Sequence, residues 1–377
     1  MANLHSAPLS FCVLGAGISG LSSAYCLAKN YPSSRVTVVY EEGTPNTTSN
    51  HGFGILSLRS LDELDSADTI RFTKATASHF ANIISQSPQL AAEIGLSAMP
   101  AYLTYDRKQG SPEQDVFPGG PTMDTFAYFM EISEHEKSSL SIDSDGLKYI
   151  FERDDIEPSD LVVYKAGTWV IDNHSYLPWL KKELELMAAR GDISSVNFIQ
   201  RRVSNFSELL KLEDFHFIVN CSGLGSEYLV PDGNMIPIRG QYLLVKPNAT
   251  TDLRYGGHTF ICPKPGRVAL GSVYQKGRRE TSINHFDKED ILRRCCALNP
   301  QIRNSEIIGE SVGIRPGRYG GPRVELDRQT LRSSRGNDSV PIIHNYGHGA
   351  KGILQHWGCA LEVVKLAESL TSIKSKL

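Results

Sequence analysis

The sequence contains no C-x-x-C pair, and among its seven cysteines only Cys295 and Cys296 are adjacent. An odd, unpatterned set excludes a disulfide framework and the common zinc spacings. Charge of one sign is missing too: 39 Lys and Arg stand against 42 Asp and Glu, a formal net charge of -3. No basic field is available to grip nucleic acid or an anionic membrane. No apolar run approaches the roughly 18 to 20 residues that a bilayer span needs. Met1 to Ser10 has neither a basic start nor a long apolar stretch, so no secretory signal is read. His344 and His348 have the spacing of metal ligands but lack a third partner in a glycine-flanked loop, and no metal is expected. These absences describe a soluble intracellular globular chain that binds neither nucleic acid nor membrane.

What is present begins near the N-terminus. Phe11-Cys12-Val13-Leu14 reads as a buried strand and leads into Gly15-Ala16-Gly17-Ile18-Ser19-Gly20, then into Leu21, Ala24, Tyr25 and Leu27 at helical spacing. Val36 to Tyr40 reads as a second buried strand, closed by Glu41 and Glu42. Strand, glycine turn, helix and strand make one βαβ unit. In G-x-G-x-x-G the first glycine permits the tight turn, the second lets a pyrophosphate approach the backbone, and the third lets helix and strand pack closely. Helix N-terminal amides then hold the phosphate charge. Glu41, with Glu42 beside it, is placed to accept from the adenosine ribose hydroxyls, which favours FAD or NAD over NADP.

The 377 residues, at roughly 150 per domain, suggest two or three interleaved units. Helical patterns cover 73–93, 177–190, 288–298 and 353–370. Strand patterns cover 198–199, 217–219 and several runs between Met235 and Tyr274, where an antiparallel sheet is expected. The stretch from about 100 to 160 is polar with weak periodicity. The expected fold class is α/β, a discontinuous Rossmann-type nucleotide domain with a β-rich domain inserted in it. The division is 9–60, 140–235 and 300–372 for the first unit, 61–139 and 236–299 for the second, and 373–377 for a tail.

Further motifs follow in order: Val219-Asn220-Cys221-Ser222-Gly223-Leu224-Gly225, Ile238-Arg239-Gly240-Gln241, Gly313-Ile314-Arg315-Pro316-Gly317-Arg318 and Ile343-His344-Asn345-Tyr346-Gly347-His348-Gly349. Together with the opening fingerprint they resemble the D-amino-acid oxidase family of flavoproteins, which includes D-aspartate oxidase, over nearly the whole chain. The resemblance implies a FAD-binding fold of the glutathione-reductase type with a substrate domain on a mixed sheet. It also implies hydride transfer from the substrate Cα to the flavin, an imino acid that hydrolyses to a 2-oxo acid and ammonia, and O2 reduced to hydrogen peroxide.

By the same resemblance Arg315 holds the substrate carboxylate, as a planar fork of donors should. The Ala350 carbonyl takes the substrate ammonium. Thr47, Thr48 and Ser49 serve the pyrophosphate, Val203 meets the adenine, and Cys221, Ser222 and Gly223 form a second glycine turn against the cofactor. Gly347, Gly349, Ala350, Lys351, Gly352, Ile353 and Leu354 bring amides and a helix start to the flavin. Three departures stand out. His51-Gly52-Phe53-Gly54 replaces an alanine-rich run, and His51 matches the position of covalent flavin attachment in related dehydrogenases. Phe260 stands where a tyrosine hydroxyl is expected, with Tyr255 or His258 as a compensating neighbour. Ala350 and Lys351 replace a glycine-tyrosine pair. Tyr274-Gln275-Lys276-Gly277 and Cys295-Cys296-Ala297-Leu298-Asn299-Pro300 resemble the D-aspartate branch more than the neutral one, which makes acidic D-amino acids the favoured substrates, with Arg254 the candidate to meet a side-chain carboxylate.

Two other readings stay open: an amine or imine oxidase of a specialised metabolite, and a dinucleotide-binding protein without turnover. The final Ser375-Lys376-Leu377 spells an address read by the peroxisomal import receptor, so a peroxisomal location is expected.

Overall fold

The computed structural model describes residues 8–56, 66–108, 129–247, 252–332 and 339–374. The terminal tripeptide lies outside them. Along the chain run β1 (Ser10–Leu14), α1 (Ile18–Asn30), β2 (Arg35–Tyr40), α2 (Thr69–Gln86), α3 (Pro88–Glu93), β3 (Leu96–Asp106), β4 (Phe129–Glu131), α4 (Glu134–Ser139) and α5 (Ser144–Phe151). Then follow β5 (Leu161–Ile171), α6 (Asn173–Arg190), β6 (Ser195–Gln200), β7 (Phe217–Asn220), α7 (Ser226–Leu229), β8 (Met235–Val245), β9 (Leu253–Gly256), β10 (Thr259–Lys264) and β11 (Arg267–Gly271). The last are β12 (Gln275–Lys276), α8 (His285–Leu298), β13 (Ile307–Arg318), β14 (Arg323–Arg332), β15 (Ser339–Tyr346) and α9 (Gly352–Lys374).

Two sheets organise these elements. The first has the order β14-β15-β7-β1-β2-β6, parallel except for the β14–β15 pair. Every residue of β1 is buried, and Phe11 stacks on Phe217 of β7 at 5.3 Å. A parallel sheet buried on both faces needs such continuous apolar strands, and α1, α6 and α9 cover it with Leu21, Leu27, Leu180, Leu184 and Val363. The second sheet runs β12-β8-β11-β10-β9-β3-β5-β4, with β13 also paired to β8. It is mixed, because β3 and β9 are parallel whereas its other pairs are antiparallel.

Several elements depart from the sequence expectation. The helical pattern over 73–93 is two helices, broken where Pro88 starts α3; proline suits a first helical turn and interrupts a continuing one. Helix α6 starts at Asn173, earlier than its apolar pattern, because the Asp172 side chain caps it by accepting from His174 N–H. β3 and β5 are long strands in or beside the stretch read as polar. β5 is buried on both faces over most of its length and so shows no alternation to read. In sequence, β5 falls within 140–235 and β13 within 300–372, yet both pair in the second sheet.

Candidate active site

The glycine turn is a product of two close approaches. Gly15 has φ +115°, and a Cβ there would overlap the Cys221 carbonyl at the end of β7. A Cβ at Gly20 would overlap the Gly15 carbonyl, so α1 can sit down on the turn only with glycine at that position. Backbone bonds tie the strand ends together: Gly15 N–H donates to Val39 O at 2.7 Å and Cys221 N–H to Leu14 O at 2.8 Å. The loop after β2 closes over this turn. Ser49 Oγ accepts from Ile18 N–H at 2.9 Å, and Thr47 Oγ1 donates to buried Asn50 Oδ1 at 2.7 Å.

A cleft of about 720 Å³ opens along this turn. Glu41, Glu42, Arg202 and Val203 line one end; Phe260, Tyr274 and Arg315 line the other. At the first end Glu41 pairs with Arg202 at 3.5 Å. Of the residues singled out in the sequence, all line the cleft except Gly20, Gly347 and Arg254. Gly20 acts from behind by packing on Gly15. Gly347, at φ +87°, turns the chain beside Arg318. Arg254 lies apart from the lining residues: its Nη1 donates to the carbonyls of Leu140 and Leu298, both at 2.6 Å. Two carbonyls outside the cleft wall hold Nη1, while Nε is buried without a hydrogen-bond partner.

Arg315 is held on the β8–β13 pair, where Gly313 faces Gly240. Its guanidinium lies against Gly240, where any Cβ would collide with it. Nη1 donates to Val273 O at 3.1 Å, Nη2 to Ser272 Oγ at 3.3 Å, and the Tyr274 ring lies 5.6 Å away. The neighbouring Arg239 has the opposite fate. At 2% exposure it donates to Glu280 O, Gln275, Asp287, Gln241 and Ser282 O, with Asp287 at 2.6 Å. Arg239 is thus a structural hub, and of these two it is Arg315 that lines the cleft.

Between the two ends, His51 Nδ1 lies 2.6 Å from Ser311 Oγ, and burial, with the charge of His174, lowers its pKa. Phe53 packs on Phe260 at 3.9 Å and edge-on to Tyr242 at 4.9 Å. His258 stacks on Tyr274 at 5.4 Å. His348 is buried under the cradle with its pKa pushed down to about 4 by burial and the charge of His356. A neutral ring fits its neighbours, Ser19 Oγ at 3.4 Å from Nδ1 and Asn345 Oδ1 at 3.1 Å from Nε2. Burial pushes the Cys221 thiol up to about 12, so it is no thiolate nucleophile at neutral pH.

Sequence reasoning did not assign Tyr242, Ser272, Tyr274 or His348 to the site, and it missed Asn173. The Asn173 side chain donates to Ser49 O at 2.9 Å and Gly52 O at 2.7 Å, pinning the loop that carries His51. An asparagine at a helix start carries no signal beyond capping, so only the structure exposes this role. Among the described residues no cluster of three or more His, Cys, Asp or Glu is arranged to hold a metal, and no helix is long and apolar enough to cross a membrane.

Three comparisons bear on this geometry. Residues 10–366 match the family model described as FAD dependent oxidoreductase. The chain is 32% identical to human D-aspartate oxidase over 94% of this chain and 93% of that protein. It is 26% identical to a D-amino acid oxidase of Dugesia ryukyuensis over 97% and 99%. A solved glycine oxidase from Geobacillus kaustophilus superposes with a TM-score of 0.70 at 16% identity, covering 97% of this chain and 95% of that one, a likeness of fold.

Proposed function

Since the chain belongs to the FAD-dependent oxidoreductase family, we propose that it oxidises D-amino acids at Cα, giving an imino acid that water converts to a 2-oxo acid and ammonia. The observation that carries this reading is the Arg315 guanidinium, fixed against Gly240 at one end of a cleft whose other end is the glycine turn. The residues fit FAD. Glycines leave room where a Cβ would strike backbone, and Glu41 stands at the end of β2 where a ribose is read. The chemistry supplied by bound FAD is acceptance of a hydride and its electrons' return to O2, giving hydrogen peroxide.

The chain's own residues supply orientation. Arg315 fixes the substrate carboxylate by paired donors. The backbone carbonyl of Ala350, which also lines the cleft, is the acceptor for the substrate amine. Phe53, Tyr242 and Phe260 exclude water between the two. Proximity of this kind, with no protein base, carries the rate.

Similarity to D-aspartate oxidases supports an acidic substrate side chain. A neutral side chain is the second reading, favoured by the Phe53–Phe260–Tyr242 wall and by the commitment of Arg254 elsewhere. His51 is the residue at which covalent attachment of the flavin would be made: it lines the cleft, and burial favours its neutral, nucleophilic ring. Yellow colour left wholly in the supernatant after acid precipitation overturns that link; colour in the pellet supports it. The peroxisomal address at Ser375-Lys376-Leu377 is tested by locating a tagged chain with and without the tripeptide.

The test of the activity is peroxide release from purified protein with D-Asp, D-Glu, D-Ala, D-Pro and N-methylated amines, each against its L form where one exists. The reading expects a yellow protein active on D forms alone. A colourless protein, or activity confined to amines without a carboxylate, overturns it.

A further inference from the structure

We propose that the Ser272 hydroxyl is a second donor to the substrate carboxylate, working beside Arg315; the inference rests on the site reading above. Phe260 faces the cleft with a ring that carries no hydroxyl, so position 260 itself offers the carboxylate no donor. The β10–β11 register sets Phe260 opposite Gly271, and the ring lies so close over Gly271 that a Cβ there would collide with it. Ser272 is the next residue along, and it lines the same cleft at 7% exposure. The hydroxyl absent at 260 is therefore replaced, across one strand pair, by the hydroxyl at 272.

Its backbone is fixed on both sides. Ser272 N–H donates to His258 O at 3.1 Å, and Ser272 O accepts from Arg294 Nη2 at 3.0 Å. Arg294 is itself buried and anchored to Asp290 at 2.8 Å and Thr259 at 2.7 Å. Only χ1 is left to place the oxygen. That oxygen accepts from Arg315 Nη2 at 3.3 Å. A hydroxyl that accepts from a cation keeps its own proton to donate, and no other described residue takes it. Guanidinium and hydroxyl together present donors to one anion, and a hydrogen bond to a charged partner is worth about tenfold in affinity or more.

The experiment uses the holoenzyme and the substitution Ser272→Ala. Benzoate, a carboxylate without an amine, is titrated while the flavin absorbance is followed, and KM and kcat are measured for the D-amino acid that the unaltered enzyme turns over best. The expected result is a benzoate Kd and a KM both raised about tenfold, with FAD content and kcat within about twofold of the starting enzyme. Adding Phe260→Tyr to S272A should recover most of the lost affinity by returning a hydroxyl to the wall. S272C, near in size and a far weaker donor, reads the same loss should S272A fail to fold. Unchanged benzoate and substrate affinity overturns the inference. So does a deficit that Phe260→Tyr leaves intact, since Ser272 would then act only by steering Arg315. An unaltered enzyme that holds no flavin or binds no carboxylate contradicts the site reading instead.

Discussion

At the nucleotide end of the cleft, the contacts that matter run between backbone atoms of adjacent elements: Gly15 on Val39 O, Cys221 on Leu14 O, Gly20 on Gly15 O. At the substrate end they run between side chains drawn from β8, β10, β11 and β13, with Arg315, Ser272, Tyr242 and Phe260 meeting across three strand pairings. The first region tolerates no added atom but is indifferent to most side-chain chemistry. At the second an added Cβ meets side chains instead, the Arg315 guanidinium at Gly240 and the Phe260 ring at Gly271.

The largest effect should come from filling the first region. Gly20→Val drives a branched side chain into the Gly15 carbonyl, and a clash with backbone cannot relax by rotamer change. The expected outcome is protein without bound flavin and with poor soluble yield, read by absorbance of the purified chain. A yellow, stable G20V would break the claim that the cradle is sterically defined. In the second region, Arg239→Met removes a buried cation from five acceptors including Asp287. Leaving that carboxylate unpaired should cost about 3 to 5 kcal/mol in denaturant unfolding, with little change in which D-amino acid is preferred.

A third test separates the regions by pH. Burial holds His348 and His356 near 4 and His79 near 3, against an ordinary value of 6.5. Each stays neutral in the folded chain while the unfolded chain takes up its proton, so stability should fall as pH drops from about 6.5 toward 4, and hold above that window. For each such group the expected slope is about 1.4 kcal/mol per pH unit. His348→Gln, beneath the cradle, should flatten the acid limb by one such share in urea titrations between pH 6.5 and 4. An unaltered limb contradicts the assignment of a neutral buried ring. The smallest effect belongs to Ser49→Ala, which leaves Ile18 N–H without its acceptor. It should lower stability by about 1 kcal/mol and weaken FAD binding a few-fold, about what one neutral hydrogen bond contributes.

The same contrast sets what could be read before the structure. The turn from Leu14 to Gly20 and the acidic end of β2 are local, so glycine spacing and strand pattern disclosed them. Arg315 was singled out through the family resemblance of its motif, and the structure places it on the cleft wall. The surroundings of Arg254 were not legible, since nothing local reveals that Leu140 and Leu298 present carbonyls to it. Ser272 and Tyr242 were invisible because only strand register brings them to Arg315. β5 escaped for a different reason: burial on both faces erases the alternation that marks a strand.

The most direct test of the account is a benzoate titration of Arg315→Met, followed through the flavin spectrum. The account predicts a protein that still carries FAD, because the cradle is untouched, but whose affinity for the carboxylate falls by at least about a hundredfold, the share of a desolvated charge pair. An R315M protein that binds benzoate as tightly as the unaltered chain, or that loses its flavin while remaining folded, would contradict it.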